Sequence, residues 1–334
     1  MEQPYISRAD TFKLKRAVLF DGSHQPWEAL QSGFAPTPPL PSMICCHELR
    51  FLHYLTKLHY TGAGAVVELG PLAGSSTYAL LSGMKSGLIH SYDLWAFCEG
   101  WEMFTNGTTL PLGTDIQSYF QANVAAFGDR VIPHKGDLAE VTWSDGPIEI
   151  LFIDAAKSPE LMLRIADEFF PKLVLGAYVI QQDWVSAGTP WIHIAMGKLA
   201  PYFDIVDSPE GGTVCFRVVA PIPEKALAST AHTSDAEYFE AAIRVLPNWH
   251  ALCVRLSEAY HAILSGDRQR AAQIVDEVRM HPLYSRPRVG FDLDLIDSAL
   301  GSPELAAIPG ANAPAVKRTE SSGLQCQVNS LGVG

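Results

Sequence analysis

None of the six cysteines, Cys45, Cys46, Cys98, Cys215, Cys253 and Cys326, forms a C-x-x-C pair with another. That excludes a zinc ribbon and leaves no legible disulfide framework, so reduced, mostly buried thiols are expected. Basic residues are few: 24 Lys and Arg stand against 36 Asp and Glu, a formal net charge of −12. A broad basic face for a nucleic-acid backbone is therefore not expected. No run of about 18 apolar residues occurs, so no membrane-spanning helix and no membrane partner are expected. Met1-Glu2-Gln3-Pro4 carries no charged stretch leading into an apolar one, and no secretory signal is read there. Together these absences predict a soluble, cytoplasmic protein. What is present is core-forming: apolar residues make up 48% and charged residues 18% of the 334, the composition of a folded globular chain.

Residues 1–45 read as an irregular segment, because Pro36, Pro38, Pro39 and Pro41 fall almost together and forbid a helix. An amphipathic helix is predicted over 47–60, where Leu49, Leu52, Leu55 and Leu58 recur at every third residue. From 63 to 219 short apolar runs alternate with helical stretches. The runs are 65–69, 88–92, 130–133, 148–153 and 178–180, then 203–206 and 213–219. Strands alternating with helices predict a parallel sheet covered on both faces. The run 148–153, Ile-Glu-Ile-Leu-Phe-Ile, suits a central strand. Only Asp207-Ser-Pro-Glu-Gly-Gly212 separates the last two runs, which predicts an antiparallel hairpin at the sheet edge. The fold class predicted is α/β, with a Rossmann-like, doubly wound sheet of seven strands spanning 46–220. Beyond Pro221 and Pro223, a helical region over 225–300 is predicted from stretches at 234–246, 249–264, 268–280 and 293–300. Residues 302–334 read as a flexible tail.

Val66-Val67-Glu68-Leu69-Gly70-Pro71-Leu72-Ala73-Gly74-Ser75-Ser76-Thr77 is the most informative stretch. A strand ends on an acid, a glycine-bearing turn follows, and a helix starts at the hydroxyl cluster. Glycine lets backbone approach a ligand closely, and a helix start offers free N–H groups and a positive dipole end to an anion. The turn reads Glu-x-Gly-x-x-x-Gly, not the G-x-G-x-x-G of a dinucleotide site, which argues against a nicotinamide-dependent oxidoreductase. It resembles motif I of the class I S-adenosylmethionine (SAM)-dependent methyltransferases.

Further elements of that resemblance follow in order. Leu88-Ile-His-Ser-Tyr-Asp93 ends a second strand on an acid; Val131-Ile-Pro-His-Lys-Gly-Asp137 resembles the third strand; Ile150-Leu-Phe-Ile-Asp154 resembles motif IV; and Leu175-Gly-Ala177 with Tyr178-Val-Ile-Gln-Gln-Asp183 resembles strand five. The resemblance covers roughly 45–220. It implies that Glu68, Gly70, Gly74, Ser75 and Ser76 hold the methionine part of SAM. It also implies Asp93 at the ribose, Asp137 by the adenine amino group and Asp154 at the pocket mouth.

Asp154-Ala-Ala-Lys157 looks like the D-x-x-K of catechol and caffeoyl-coenzyme A O-methyltransferases. There the acid binds a divalent metal and the lysine deprotonates the acceptor hydroxyl, which implies Asp154 and Asp183 as ligands for Mg²⁺ and Lys157 as base. Those enzymes carry Asp-Asn after strand five. Here the pair is Asp183-Trp184, and Gln182 is one step early, pointing the other way in a regular strand. Lys157 also reads as a solvated residue at a helix start.

Tyr92-Asp93-Leu-Trp-Ala-Phe, with a long insertion over 95–127, is similar to the macrocin-type methyltransferases of natural-product pathways. The aromatics of that insertion read either as a lid or as helix core. His193, in the loop after Asp183, is a candidate general base or a structural histidine. The expected activity is methyl transfer from SAM to a hydroxyl of a small-molecule acceptor. The alternative is a SAM-fold protein that binds SAM without methylating. The C-terminal helices are expected to cover the active site or form a homodimer interface.

Overall fold

The computed structural model describes residues 40–301, apart from 99–100, 106, 210, 230–233, 244–245 and 247. Most of the irregular 1–45 segment and all of the 302–334 tail lie outside the described residues.

Seven strands form one sheet: β1 (Ala65–Leu69), β2 (Ile89–Asp93), β3 (Val131–Lys135), β4 (Ile148–Ile153), β5 (Leu173–Gln181), β6 (Phe203–Asp207) and β7 (Val214–Val218). Their order is β3-β2-β1-β4-β5-β7-β6. Every pairing is parallel except those of β7, which runs antiparallel to both β5 and β6. The doubly wound sheet and its terminal hairpin are as predicted. All six residues of β4 are buried, which is why its sequence is nearly unbroken apolar.

The strand order reverses between β1 and β4. Ligands of such sheets bind outside the carboxyl ends of the strands at that switch point. There Asp154, just past β4, donates its N–H to the Leu69 carbonyl of β1 at 2.8 Å.

β5 is longer than the predicted 178–180. The stretch Leu175-Gly-Ala177, expected just ahead of the strand, lies within it. Gly176 takes φ +86°, and the pairing with β4 slips between Ile148↔Leu173 and Ile150↔Tyr178, so a bulge is accommodated inside the strand.

Helices α1 (Cys46–His59) and α2 (Ser75–Gly83) cover one face of the sheet, around Leu52, Leu55, Leu80 and the inward residues Val66, Ile89, Ile150 and Ile180. A short α3 (Gln117–Val124) lies within the 95–127 insertion. The opposite face carries α4 (Pro159–Phe169) and α5 (Pro190–Lys198). After a short α6 (Ala226–Ser229) come α7 (Asp235–Ile243), α8 (Asn248–Leu264), α9 (Arg268–Arg279) and α10 (Pro287–Gly301). These C-terminal helices are not a separate layer. Phe239, Leu256, Ile263, Ile274 and Val278 join Leu151, Ile153, Ile192 and Met196 in one continuous core. Among the described residues, no helix is long and apolar enough to cross a membrane.

Candidate active site

The turn after β1 is held by backbone contacts. Gly70 takes φ +91° and donates its N–H to the Tyr92 carbonyl at 2.9 Å; a Cβ there would lie 3.0 Å from the Asp154 carbonyl oxygen. Leu72, unusually for a non-glycine, takes φ +46°. Its N–H donates to Asp93 Oδ2 at 3.0 Å, while Trp95 N–H donates to Asp93 Oδ1 at 2.7 Å. The Trp95 indole closes the ring by donating to the Leu72 carbonyl at 3.0 Å. Asp93 therefore ties the glycine turn to the end of β2. Burial raises its pKa, and the backbone N–H groups of Trp95 and Leu72 partly offset that. Each oxygen keeps a further lone pair for a ligand.

Gly74 opens α2 at φ +90°. A Cβ there would come 2.8 Å from Val124 of α3, so this glycine is required by packing from the insertion. Ser75, Ser76 and Thr77 are all buried in the first turn of α2. Ser75 donates to the Ser42 hydroxyl at 2.9 Å, bringing the segment before α1 across the helix start. Glu68 lies fully buried. Its Oε2 accepts from Thr77 at 2.5 Å and from Ser91 at 3.0 Å, whereas Oε1 has no hydrogen-bond partner among the described residues. Burial raises the Glu68 pKa to about 7, against the hydroxyls of Ser76, Thr77 and Ser91. A cationic ligand group would satisfy that acceptor.

The loops after β4 and β5 meet over a single ammonium. Lys157 Nζ donates to Asp154 Oδ1 at 3.0 Å and also to Asp183 Oδ2. Desolvation pulls the lysine pKa down, but the two carboxylates outweigh it and hold the pKa above the ordinary lysine value. Lys157, which the resemblance implies as base, is thus held in its charged form by two carboxylates. Asp183 sits at φ +62°, a strained conformation for a non-glycine of the kind found at functional sites.

Mg²⁺ does not fit this arrangement. The carboxylates expected to hold it, Asp154 and Asp183, already bracket Lys157. Trp184, at the third ligand position, is fully buried against His193 and Phe216. The Gln182 amide is engaged with the Thr213 hydroxyl, whose single proton goes to Glu48, so the amide donates to that oxygen. Among the described residues, no group of three or more His, Cys, Asp or Glu side chains is placed to hold a metal ion.

His193 is a core residue rather than an open base. It is fully buried, with Nε2 2.6 Å from the Trp184 carbonyl and Nδ1 2.9 Å from Ser257 Oγ of α8. A carbonyl only accepts, so Nε2 carries the proton and Nδ1 accepts from Ser257. Burial lowers the His193 pKa to about 4. Asp137 is exposed beyond β3, where one oxygen accepts from Ala139 N–H in its own turn at 2.9 Å.

Glu48 escaped the sequence reading. It is buried at the start of α1 and accepts from Gly212 N–H at 2.7 Å and Thr213 Oγ1 at 2.5 Å. It stands close enough to Asp154 for its charge to raise that residue's pKa. In sequence Glu48 is only a first-turn acid. Its Oε2 caps its own helix by accepting from Cys45 N–H at 2.8 Å, but Gly212 and Thr213 lie more than 160 positions away and no local signal marks them.

The insertion packs directly on the glycine turn. Trp95, Phe97, Ile116, Phe120 and Val124 form a small core with Leu72 at its edge, and Asn123 donates to the Ala73 carbonyl at 2.8 Å. The helix-core reading of its aromatics describes this packing.

Residues 67–184 match the family model described as a methyltransferase domain. No curated protein matches the sequence. Among solved structures, the chain is similar to an S-adenosylhomocysteine (SAH)-bound methyltransferase from Podospora anserina, at 14% identity, 66% coverage of this chain, 100% of that one and a TM-score of 0.39. It is also similar to an O-methyltransferase from Bacillus cereus in complex with SAH, at 18% identity, 65% and 92% coverage and a TM-score of 0.35. The O-methyltransferase NovP shows 13% identity, 64% and 100% coverage and a TM-score of 0.41. The match to a methyltransferase domain over 67–184 lies across the switch point and its glycine turn.

Proposed function

We propose that this protein transfers the methyl group of SAM to a hydroxyl of a small-molecule acceptor, in the crevice at the carboxyl ends of β1, β2, β4 and β5. The observation that carries the reading is the convergence at the switch point. The Gly70 turn, the free N–H groups of the first turn of α2 and the Asp93 carboxylate all lie at the carboxyl ends of β1 and β2. The residues fit the cofactor chemically. The α2 start suits a carboxylate, the unpartnered Glu68 Oε1 suits an ammonium, and the remaining lone pairs of Asp93 suit a pair of hydroxyls.

When bound, SAM supplies a sulfonium-borne methyl group for in-line displacement. This chain's own residues orient and exclude. Gly70 leaves room for close approach. The insertion around Trp95 and Phe120 shields the turn from water. Lys157, held charged by Asp154 and Asp183, keeps one of its three N–H donors for an acceptor oxygen.

Radiolabelled methyl transfer across a panel of phenols and sugar alcohols tests the acceptor class, and transfer only to amines or carbon would refute it. Gly70→Arg is expected to abolish transfer and, with its Cβ against the Asp154 carbonyl at φ +91°, to lower the melting temperature, so transfer is read below that temperature on chain shown folded by circular dichroism. A second reading, SAM binding without methylation, is favoured by one observation: both residues read as bases are engaged, Lys157 by two carboxylates and His193 in the core. SAM binding with no transfer to any acceptor would select it.

A further inference from the structure

The place between the strand-end carboxylates of β4 and β5 is built around a cation. Asp154 and Asp183 come from loops 26 residues apart from Lys157 at most, yet both converge on its Nζ. Each of the three is fixed by its backbone contacts, Asp154 by its N–H on the Leu69 carbonyl at 2.8 Å. Lys157 lies in a tight turn, its N–H donating to the Ala155 carbonyl at 2.8 Å, and the Trp191 indole locks that turn by donating to the Ala156 carbonyl at 2.6 Å. Asp183 is fixed in its strained conformation by Trp184 N–H on the Gly212 carbonyl at 2.8 Å and by Thr189 Oγ1 on its own carbonyl at 3.0 Å.

We propose that the Lys157 ammonium is the resident cation of this crevice, taking the place of a divalent ion between Asp154 and Asp183. A Mg²⁺ ion sits about 2.1 Å from its oxygens. With Lys157 Nζ 3.0 Å from Asp154 Oδ1, such an ion would be forced against the ammonium. Like charges at that separation repel, and the two carboxylates cannot bracket the ammonium and a second cation together. The neighbours that would complete a metal shell are committed elsewhere: Trp184 to the core, Gln182 to Thr213, and Glu48 to Thr213 and Gly212. Lys157 is thus a positioning residue, which pins the β4 loop to the β5 loop and supplies the positive charge there. The consequence for turnover rests on the methyltransferase reading; the cation assignment itself does not.

The test is Mn²⁺ binding to the metal-stripped full chain, read from the free-ion electron paramagnetic resonance signal. Wild type is expected to leave the signal unchanged. Lys157→Ala, which frees both carboxylates, is expected to withdraw about one equivalent of Mn²⁺, and Lys157→Ala with Asp183→Asn to release it again. Stoichiometric binding by wild type that Asp183→Asn abolishes would overturn the proposal. So would a folded Lys157→Ala chain that binds nothing. If Lys157→Ala does not fold, the wild-type measurement decides alone, since binding there refutes the assignment and absence of binding supports it. Calorimetry with SAH on the same sample separates the two readings. SAH binding together with wild-type Mn²⁺ binding would sink only the cation assignment, whereas no SAH binding would sink the methyltransferase reading and leave the Mn²⁺ result standing.

Discussion

His193 couples protonation to folding. Its folded-state pKa is lowered to about 4, so the fold holds the neutral ring and the unfolded chain binds the proton more readily. The stability this contributes is complete above pH of about 6.5 and is lost as pH falls towards 4. At about 1.4 kcal/mol per pH unit the loss amounts to about 3 kcal/mol for this one buried ring. His250, buried and hydrogen-bonded to Ser208, has its pKa lowered by burial to about 3 and acts in the same direction. Denaturant unfolding of wild type between pH 7 and 4 is expected to show this decline. His193→Gln is expected to be less stable at pH 7 yet to show a shallower slope. An unchanged slope would mean that the ring is not held neutral. At this scale the sequence was least informative. Lys157 and His193 were legible as chemistry-bearing residues, but their states depend on Asp183 and Ser257, 26 and 64 positions away. A charge partner at that range leaves no trace in local pattern.

Among elements, the glycine turn and the insertion stand or fall together. Trp95 is fully buried, and its indole and backbone N–H bind the Leu72 carbonyl and Asp93. Trp95→Ala is expected to cost about 3–5 kcal/mol of stability and to weaken SAM binding, because the turn loses its clamp. Thermal unfolding and calorimetry on the same variant check both effects, and intact affinity would separate the insertion from the cofactor site. Gly74→Ala is expected to cost about 1–3 kcal/mol, since the new Cβ meets Val124 at 2.8 Å and φ is +90°. Strands were legible where burial on both faces writes an apolar run, as in β4. β5 was read short because the Gly176 bulge interrupts the run with residues that resemble a turn. The last helix was likewise read short, at 293–300 against Pro287–Gly301, since its first turn, Pro-Arg-Val-Gly, shows no periodic apolar face.

For the whole molecule, the C-terminal helices complete the fold. Phe239, Leu256 and Ile274 share one core with β4 and α5, and His193–Ser257 and Arg288 on the Val185 carbonyl tie α8 and α10 to the loop that carries Asp183. A chain truncated after Pro221 would expose that face of the sheet. It is expected to aggregate or unfold rather than persist as a smaller active domain, which light scattering and circular dichroism will show. A stable, active core of 221 residues would refute this. Strand alternation and the ordered acids from Glu68 to Asp183 made the doubly wound sheet legible from sequence. The docking of the helical region was not, because an amphipathic helix states that it has an apolar face but not what covers it.

The central claim is that the crevice at the Gly70 turn binds SAM. Isothermal titration calorimetry of the full chain with SAH tests it most directly. Binding at roughly micromolar Kd, lost in Gly70→Arg and indifferent to EDTA, is the expected result. No binding by the folded wild-type chain, or equal binding by Gly70→Arg, would contradict it.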